Sequence, residues 1–139
     1  MTDHNRLEES TEFLADFDKL GKIAAGGEKV IPAIVQDETT KEVLMMGYMN
    51  REALSHTLRE KVLTFWSTSR REIWVKGLTS GNTFTAVSVK INCEQNSFLI
   101  TVRKNAEGIC HTKDKNGTHR KTCYYREILP KETLKFTQD

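Results

Sequence analysis

Residues 84–102, FTAVSVKI–NCEQN–SFLITV, decide the fold class. Phe84, Ala86, Ser88 and Lys90 alternate with Thr85, Val87, Val89 and Ile91, and a period of two marks a half-buried β-strand. Phe98 to Val102 reads as a second strand, and the polar cluster Asn92-Cys93-Glu94-Gln95-Asn96 separates the two. Upstream, 62–67 and 72–76 are further β-rich runs, with turns at 68–71 and 79–82. Residues 30–36 (VIPAIVQ) and 42–49 (EVLMMGYM) flank the polar turn DETTK and read as a hairpin. Residues 122–129 are expected to form another strand, and the tail from Pro130 is expected to be peripheral. Two helices are expected. One spans 51–60 behind an Asn50 cap, with Ala53, Leu54 and Leu58 on one face. The other spans 11–20 behind Ser10 or Thr11, with Phe13, Leu14, Phe17 and Leu20 at helical spacing. This is an α+β pattern: mostly antiparallel or mixed β-sheet with a few short helices.

A chain of 139 residues fits one domain, 1–139, and is long enough to bury a real core. The formal charge of +2 is too small to imply nucleic-acid binding by charge alone. No apolar run approaches the roughly 18–20 residues that cross a bilayer, and residues 1–10 are polar and acidic, unlike a signal peptide. A cytoplasmic protein acting on a small molecule, with neither nucleic acid nor membrane as partner, is expected.

Cys93, Cys110 and Cys123 are the only cysteines, and an odd count argues against a disulfide framework. Three thiolates suffice for a zinc site with one open position; the plain alternative is three buried, inert thiols. Local context favours the metal. Cys93 sits among oxygen-bearing side chains. Cys110 is followed by His111, a pairing of metal ligand and acid/base. Cys123 has Arg120, Lys121 and Arg126 close in sequence, which favour its thiolate. The loop 105–122 between them is long, and long loops in compact domains tend to be functional. A second cluster, Phe65-Trp66-Ser67-Thr68-Ser69-Arg70 with Trp74, Lys76-Gly77 and Thr79-Ser80-Gly81, holds cations, hydroxyls and glycine amides suited to phosphate. Either tryptophan can stack on a base or fill the core.

Over about residues 31–126 these segments resemble phosphoribosyl-AMP cyclohydrolase, a family of histidine biosynthesis. The resemblance lies in PAIVQD (32–37), EVLMMGYMN (42–50) with Glu52-Ala53-Leu54, Phe65-Trp66-Ser67 with Ser69-Arg70, Trp74 with Lys76-Gly77 and Thr79-Ser80-Gly81, Cys93, Cys110-His111-Thr112, and Cys123-Tyr124-Tyr125-Arg126. It implies an intertwined homodimer that opens the adenine ring of N1-(5-phosphoribosyl)-AMP between N1 and C6. It implies zinc on Cys93, Cys110 and Cys123, drawn from both subunits, and His111 as the proton carrier. Substrate binding would fall to Trp66, Ser67, Ser69, Arg70, Lys76, Ser80 and Gly81. A magnesium ion would lie at Asn92, Glu94 and Asn96.

The sequence departs from that pattern twice. The family has three aspartates where this chain has Asn92, Glu94 and Asn96, so a magnesium site resting on one carboxylate is expected to be weak and to depend on substrate phosphate. The twelve residues between Cys110 and Cys123 exceed the family's spacing. They imply a solvated insertion, one that folds over the site, or one that adds His119 as a fourth ligand. Two alternatives to the cyclohydrolase follow: a paralogue hydrolysing another nucleotide, or a non-catalytic zinc- or nucleotide-binding protein.

Overall fold

The computed structural model describes residues 3–79, 81–105 and 108–138. In chain order the elements are α1 (Asp3–Glu9), α2 (Lys19–Ala25), β1 (Ile31–Asp37), β2 (Val43–Met49), α3 (Arg51–Glu60), β3 (Thr64–Ser67), β4 (Glu72–Val75), β5 (Phe84–Ile91), β6 (Phe98–Lys104), β7 (Arg126–Ile128) and β8 (Leu134–Phe136). The main sheet runs β2-β1-β6-β5; β3–β4 and β7–β8 form separate two-stranded ladders. β1 pairs antiparallel with β2 but parallel with β6, and β5 pairs antiparallel with β6, so the sheet is mixed. The architecture is α+β.

The β1–β2 hairpin forms where the polar turn predicts it. Asp37 closes it: its carboxylate accepts the Thr39 and Thr40 amides at 2.8 and 3.0 Å. α3 starts at Asn50, whose side chain accepts the Ala53 amide at 2.8 Å, a side-chain N-cap that satisfies one of the helix's open donors. Its buried face is Ala53 and Thr57; Leu58 is exposed. Thr57 displaces Leu58 because its hydroxyl donates to the Thr64 carbonyl and accepts the Thr64 amide, stitching the helix to β3.

One cluster of buried apolar side chains unites the main sheet, α3 and β3. It includes Val35, Leu44, Met49, Ala53, Phe65, Phe84, Phe98, Ile100 and Val102. In β5 the pairing skips a residue between Ala86 and Ser88. Phe84 and Ala86 are buried, Val87 is exposed, and beyond the bulge Val89 packs on the core. The extra residue therefore moves the core side of the strand from even to odd positions.

The helix expected at 11–20 is not formed. The Thr11 carbonyl accepts the Leu134 amide at 2.8 Å, and Glu12 bridges to Thr133, which holds this segment extended. Asp16 then accepts the Asp18 amide in a turn, and helix begins only at Lys19. Phe17 and Leu20 are exposed, so burial does not reward the helical spacing at those two positions. The tail is less peripheral than expected: β8 pairs with β7, and Phe136 stacks on Tyr125 at 6.1 Å between ring centroids.

Candidate active site

The β3–β4 hairpin presents one wall of a cleft of about 310 Å³. Arg70 comes from its turn, Trp74 from β4, and Lys76 and Gly77 from the residues just beyond. The opposite wall is Ile109, Cys110 and His111. Gly77 has φ +78°, and a Cβ there would lie 2.0 Å from the Asn82 carbonyl oxygen; only glycine allows this turn back along the cleft. Ser67 steadies Arg70, its Oγ accepting the Arg70 amide at 3.2 Å and Nε at 3.4 Å. The Arg70 guanidinium and the Lys76 ammonium lie 5.9 and 5.6 Å from the centroid of the Trp74 ring. Lys76 is buried, and burial lowers its pKa, against the opposing pull of Cys123 and Cys110.

The Cys110 segment is fixed by backbone. The Ile109 and Cys110 amides both donate to the Arg120 carbonyl, at 3.1 and 2.9 Å, and the Arg120 amide donates to Thr112 O. The insertion between Cys110 and Cys123 is thereby a small hairpin. Lys113 bridges to His119, and the Asp114 carboxylate accepts the Asn116 and Thr118 amides at its tip. His119 turns inward: its Nδ1 is 2.9 Å from the Cys110 carbonyl oxygen, and its Cβ sits where a Cβ on Gly108 would be, at 2.3 Å. Cys123 is placed by the edge of β2, where its amide donates to Leu44 O at 2.8 Å and the Thr122 hydroxyl donates to Val43 O at 2.9 Å.

These supports bring the thiols of Cys110 and Cys123 together. The Cys110 thiol is lowered to about 5, chiefly by a hydrogen bond from Cys123, against burial and with help from the Thr112 hydroxyl and amide and the charge of His111. Cys123, although exposed at the surface, is raised for the reciprocal reason. The two sulfurs therefore hold one proton between them. Thr112, whose Oγ1 lies 3.1 Å from Cys110 Sγ, belongs to this arrangement.

Two adjacent sulfurs, one of them anionic at neutral pH, fit zinc, a metal that takes thiolate readily. They are only two ligands. Among the described residues no three His, Cys, Asp or Glu side chains come together to hold a metal. Cys93 is exposed at the tip of the β5–β6 hairpin, apart from the other two. The expected magnesium ligands sit on the same tip and do not fit that ion as arranged. Asn92 Oδ1 accepts the Asn96 and Ser97 amides at 2.8 and 2.9 Å, and Asn92 Nδ2 donates to Asn96 Oδ1 at 2.6 Å. Asn96 Nδ2 in turn donates to Glu94 at 3.1 Å. The amide oxygens are engaged within the turn, and a single carboxylate remains.

Of the expected substrate-binding residues, Arg70 and Lys76 line the cleft with Cys110 and His111. Ser67 and Ser69 lie behind Arg70, with their hydroxyls 3.5 Å apart. Trp66 pairs with Ile73 within the ladder and does not line the cleft. Gly81 is exposed at φ +82°. Ser80 lies outside the described residues.

The phosphoribosyl-AMP cyclohydrolase family model matches residues 45–125, which contain every wall of this cleft. The chain belongs to the phosphoribosyl-AMP cyclohydrolase family. Its members are hydrolases of histidine biosynthesis. Relatives bearing the name phosphoribosyl-AMP cyclohydrolase include one from Thermobifida fusca, 49% identical over 100 residues, covering 72% of this chain and 80% of that protein. One from Hyphomonas neptunium is 41% identical over 121 residues, covering 87% and 81%. One from Chlorobium chlorochromatii is 41% identical over 130 residues, covering 94% and 86%.

Trp74, Thr79 and Asn82 complete the cyclohydrolase cleft around the residues expected from sequence, and Thr112 supports Cys110 from behind it. Thr112 carried a signal, a hydroxyl two positions from a cysteine in the Cys110-His111-Thr112 motif. Glu8 carried none. Its carboxylate contacts His111 Nε2 across 103 positions of sequence.

Proposed function

We propose that this chain hydrolyses the N1–C6 bond of the adenine ring of N1-(5-phosphoribosyl)-AMP, as a zinc-dependent homodimer of one-domain cytoplasmic subunits. One observation carries the reading: a single cleft faces two cations, Arg70 and Lys76, towards the Cys110 thiol and the His111 imidazole. The cations suit a substrate with two phosphate groups, and Trp74 between them offers a face for a base. Ser67 sets the direction of the Arg70 fork. Zinc, when bound by Cys110 and Cys123 with Cys93 of a second subunit, would supply the Lewis acidity that makes water a nucleophile at neutral pH. His111 takes the proton released as water adds to C6 and returns it to N1 as the N1–C6 bond breaks. Lys76 balances the negative charge gathered on the sulfurs.

The homodimer is supported by the exposed sulfur of Cys93 and by apolar surface on the main sheet, where the paired residues Ile34 and Met46 are both exposed. No helix among the described residues is long and apolar enough to cross a membrane. No step is assigned to magnesium. The asparagine-bound turn at 92–97 favours a second reading, a paralogue with the same chemistry on another nucleotide. Absorbance of ring opening, followed with purified protein on phosphoribosyl-AMP, separates the two. Turnover that disappears with a zinc chelator, returns with zinc and is absent in Cys110→Ser supports the first reading. Full turnover by Cys110→Ser, or none by zinc-loaded wild type, overturns it.

A further inference from the structure

Helix α1 lies outside the residues matched by the family model and does not line the cleft, yet its end is tied to the segments that do. Its last two residues are carboxylates with different partners. Glu9 receives both Nη atoms of Arg120 at 2.8 Å. The Arg120 side chain is 1% exposed and packs over the Tyr125 ring at 4.1 Å, so this pair fixes the end of the helix to the segment that carries Cys110. The Tyr125 hydroxyl donates to the Glu8 carbonyl at 2.7 Å, and Arg126 donates to the Ser10 carbonyl at 3.0 Å. With the helix end held through the Glu8 and Ser10 carbonyls and the Glu9 carboxylate, the Glu8 carboxylate is placed against His111 Nε2.

We propose that Glu8 is a positioning residue for His111: its carboxylate fixes the rotamer and tautomer of the imidazole that carries the proton during ring opening. This rests on the functional reading above. The His111 side chain is 69% exposed, so packing does little to hold the ring, while Glu8 is only 20% exposed and comes from an anchored helix. Of the two neutral tautomers, a carboxylate at Nε2 selects the one with its proton on that nitrogen, which puts the lone pair on Nδ1. An acid/base group whose tautomer is set in advance needs no reorganisation before each transfer. The contact involves an exposed histidine, and exposed pairs contribute little to stability. Orientation and folding are therefore separable by experiment.

The test compares Glu8→Ala, Glu8→Gln and Glu8→Asp with wild type, all zinc-loaded, and uses Glu9→Ala as the variant that loosens the helix instead. The expected result for Glu8→Ala is a kcat on the order of 10- to 100-fold lower, with KM within about twofold and Tm nearly unchanged. Zinc per subunit stays constant, Glu8→Asp recovers part of kcat, and Glu8→Gln lies between. In nitrogen-15 NMR, His111 changes from a single tautomer protonated on Nε2 to a mixture in Glu8→Ala. An unchanged kcat in Glu8→Ala overturns the proposal. So does a loss of zinc, which would make Glu8 a ligand, or a fall in Tm and activity that merely matches Glu9→Ala. The NMR arm needs no turnover. A wild type without ring-opening activity defeats the functional reading alone, and an identical tautomer in wild type and Glu8→Ala defeats the positioning role.

Discussion

Lys76 shows what a single side chain gives up to serve this cleft. It is buried beside Trp74, and burial disfavours its charged form, although the sulfurs of Cys123 and Cys110 pull the other way. A cation kept in such a place is poised for an anion that arrives later. Lys76→Met keeps most of the packing and removes the desolvated charge. The variant should be at least as resistant to urea as wild type, while KM for the substrate rises roughly 10- to 100-fold, as expected for one lost charge-assisted hydrogen bond of about 1.5–3 kcal/mol. The sign with pH follows from the lowered pKa. Charge on Lys76 opposes folding below its folded pKa, and that penalty fades as pH rises towards the ordinary lysine value. The urea midpoints of the two proteins should therefore converge in alkaline buffer. A variant less stable than wild type at pH 7 would mean that Lys76 is held by partners stronger than its burial penalty.

Among elements, the hairpins are local and their turns can be tested directly. Asp37 is 4% exposed and closes β1–β2. Burial pushes its pKa up, but the Thr40 and Thr39 amides and Lys104 outweigh burial and leave it below the usual carboxylate range. Asp37→Ala should cost about 1–3 kcal/mol at pH 7 by urea denaturation, as for a buried charged acceptor removed from its donors. The contribution of a depressed carboxylate is full above its unfolded pKa and is lost as pH falls through the folded one. The gap between variant and wild type should hold from pH 7 to about 5, begin to shrink near about 4 and close only below the depressed folded pKa; a gap that does not change with pH would point to packing instead. At the β5–β6 tip, the amide network of Asn92 and Asn96 leaves no cage for a hard cation. Magnesium added to substrate-free protein should leave its Tm unchanged, and a clear rise would show that the turn reopens. Elements with local signals were legible in the chain. α3 could be read from its Asn50 cap and β5 from its period of two, and the Cys110-His111 adjacency survived folding because neighbours in sequence stay neighbours. The bulge at Val87 was hidden, because an inserted residue changes which face is buried without changing composition. The helix expected at 11–20 failed because its partner, the strand beginning near Thr133, lies far along the chain. Glu8 was invisible for the same reason.

At the scale of the whole molecule, the three cysteines divide into a pair and a single. The buried Cys110 meets Cys123 beside the cleft, while Cys93 stands on the β5–β6 tip. The three-sulfur zinc site proposed above would require the tip of one subunit to reach the pair of another. In a two-fold dimer that reach is reciprocal, giving two equivalent sites, each completed in trans. The arrangement makes a prediction that a site within one chain does not. Cys93→Ser and Cys110→Ser, each purified alone, should be inactive and poor in zinc. If the two are mixed under conditions that exchange subunits, about half the dimers become mixed by chance. Each mixed dimer has one site built from the intact pair of the Cys93→Ser chain and the intact Cys93 of the Cys110→Ser chain. Activity and zinc should therefore recover to about a quarter of wild type. Cys110→Ser mixed with Cys123→Ser should recover nothing, because both lesions fall in the pair that one chain supplies. Recovery in that second mixture, or none in the first despite proven exchange, would break the assignment of Cys93 to the opposite subunit.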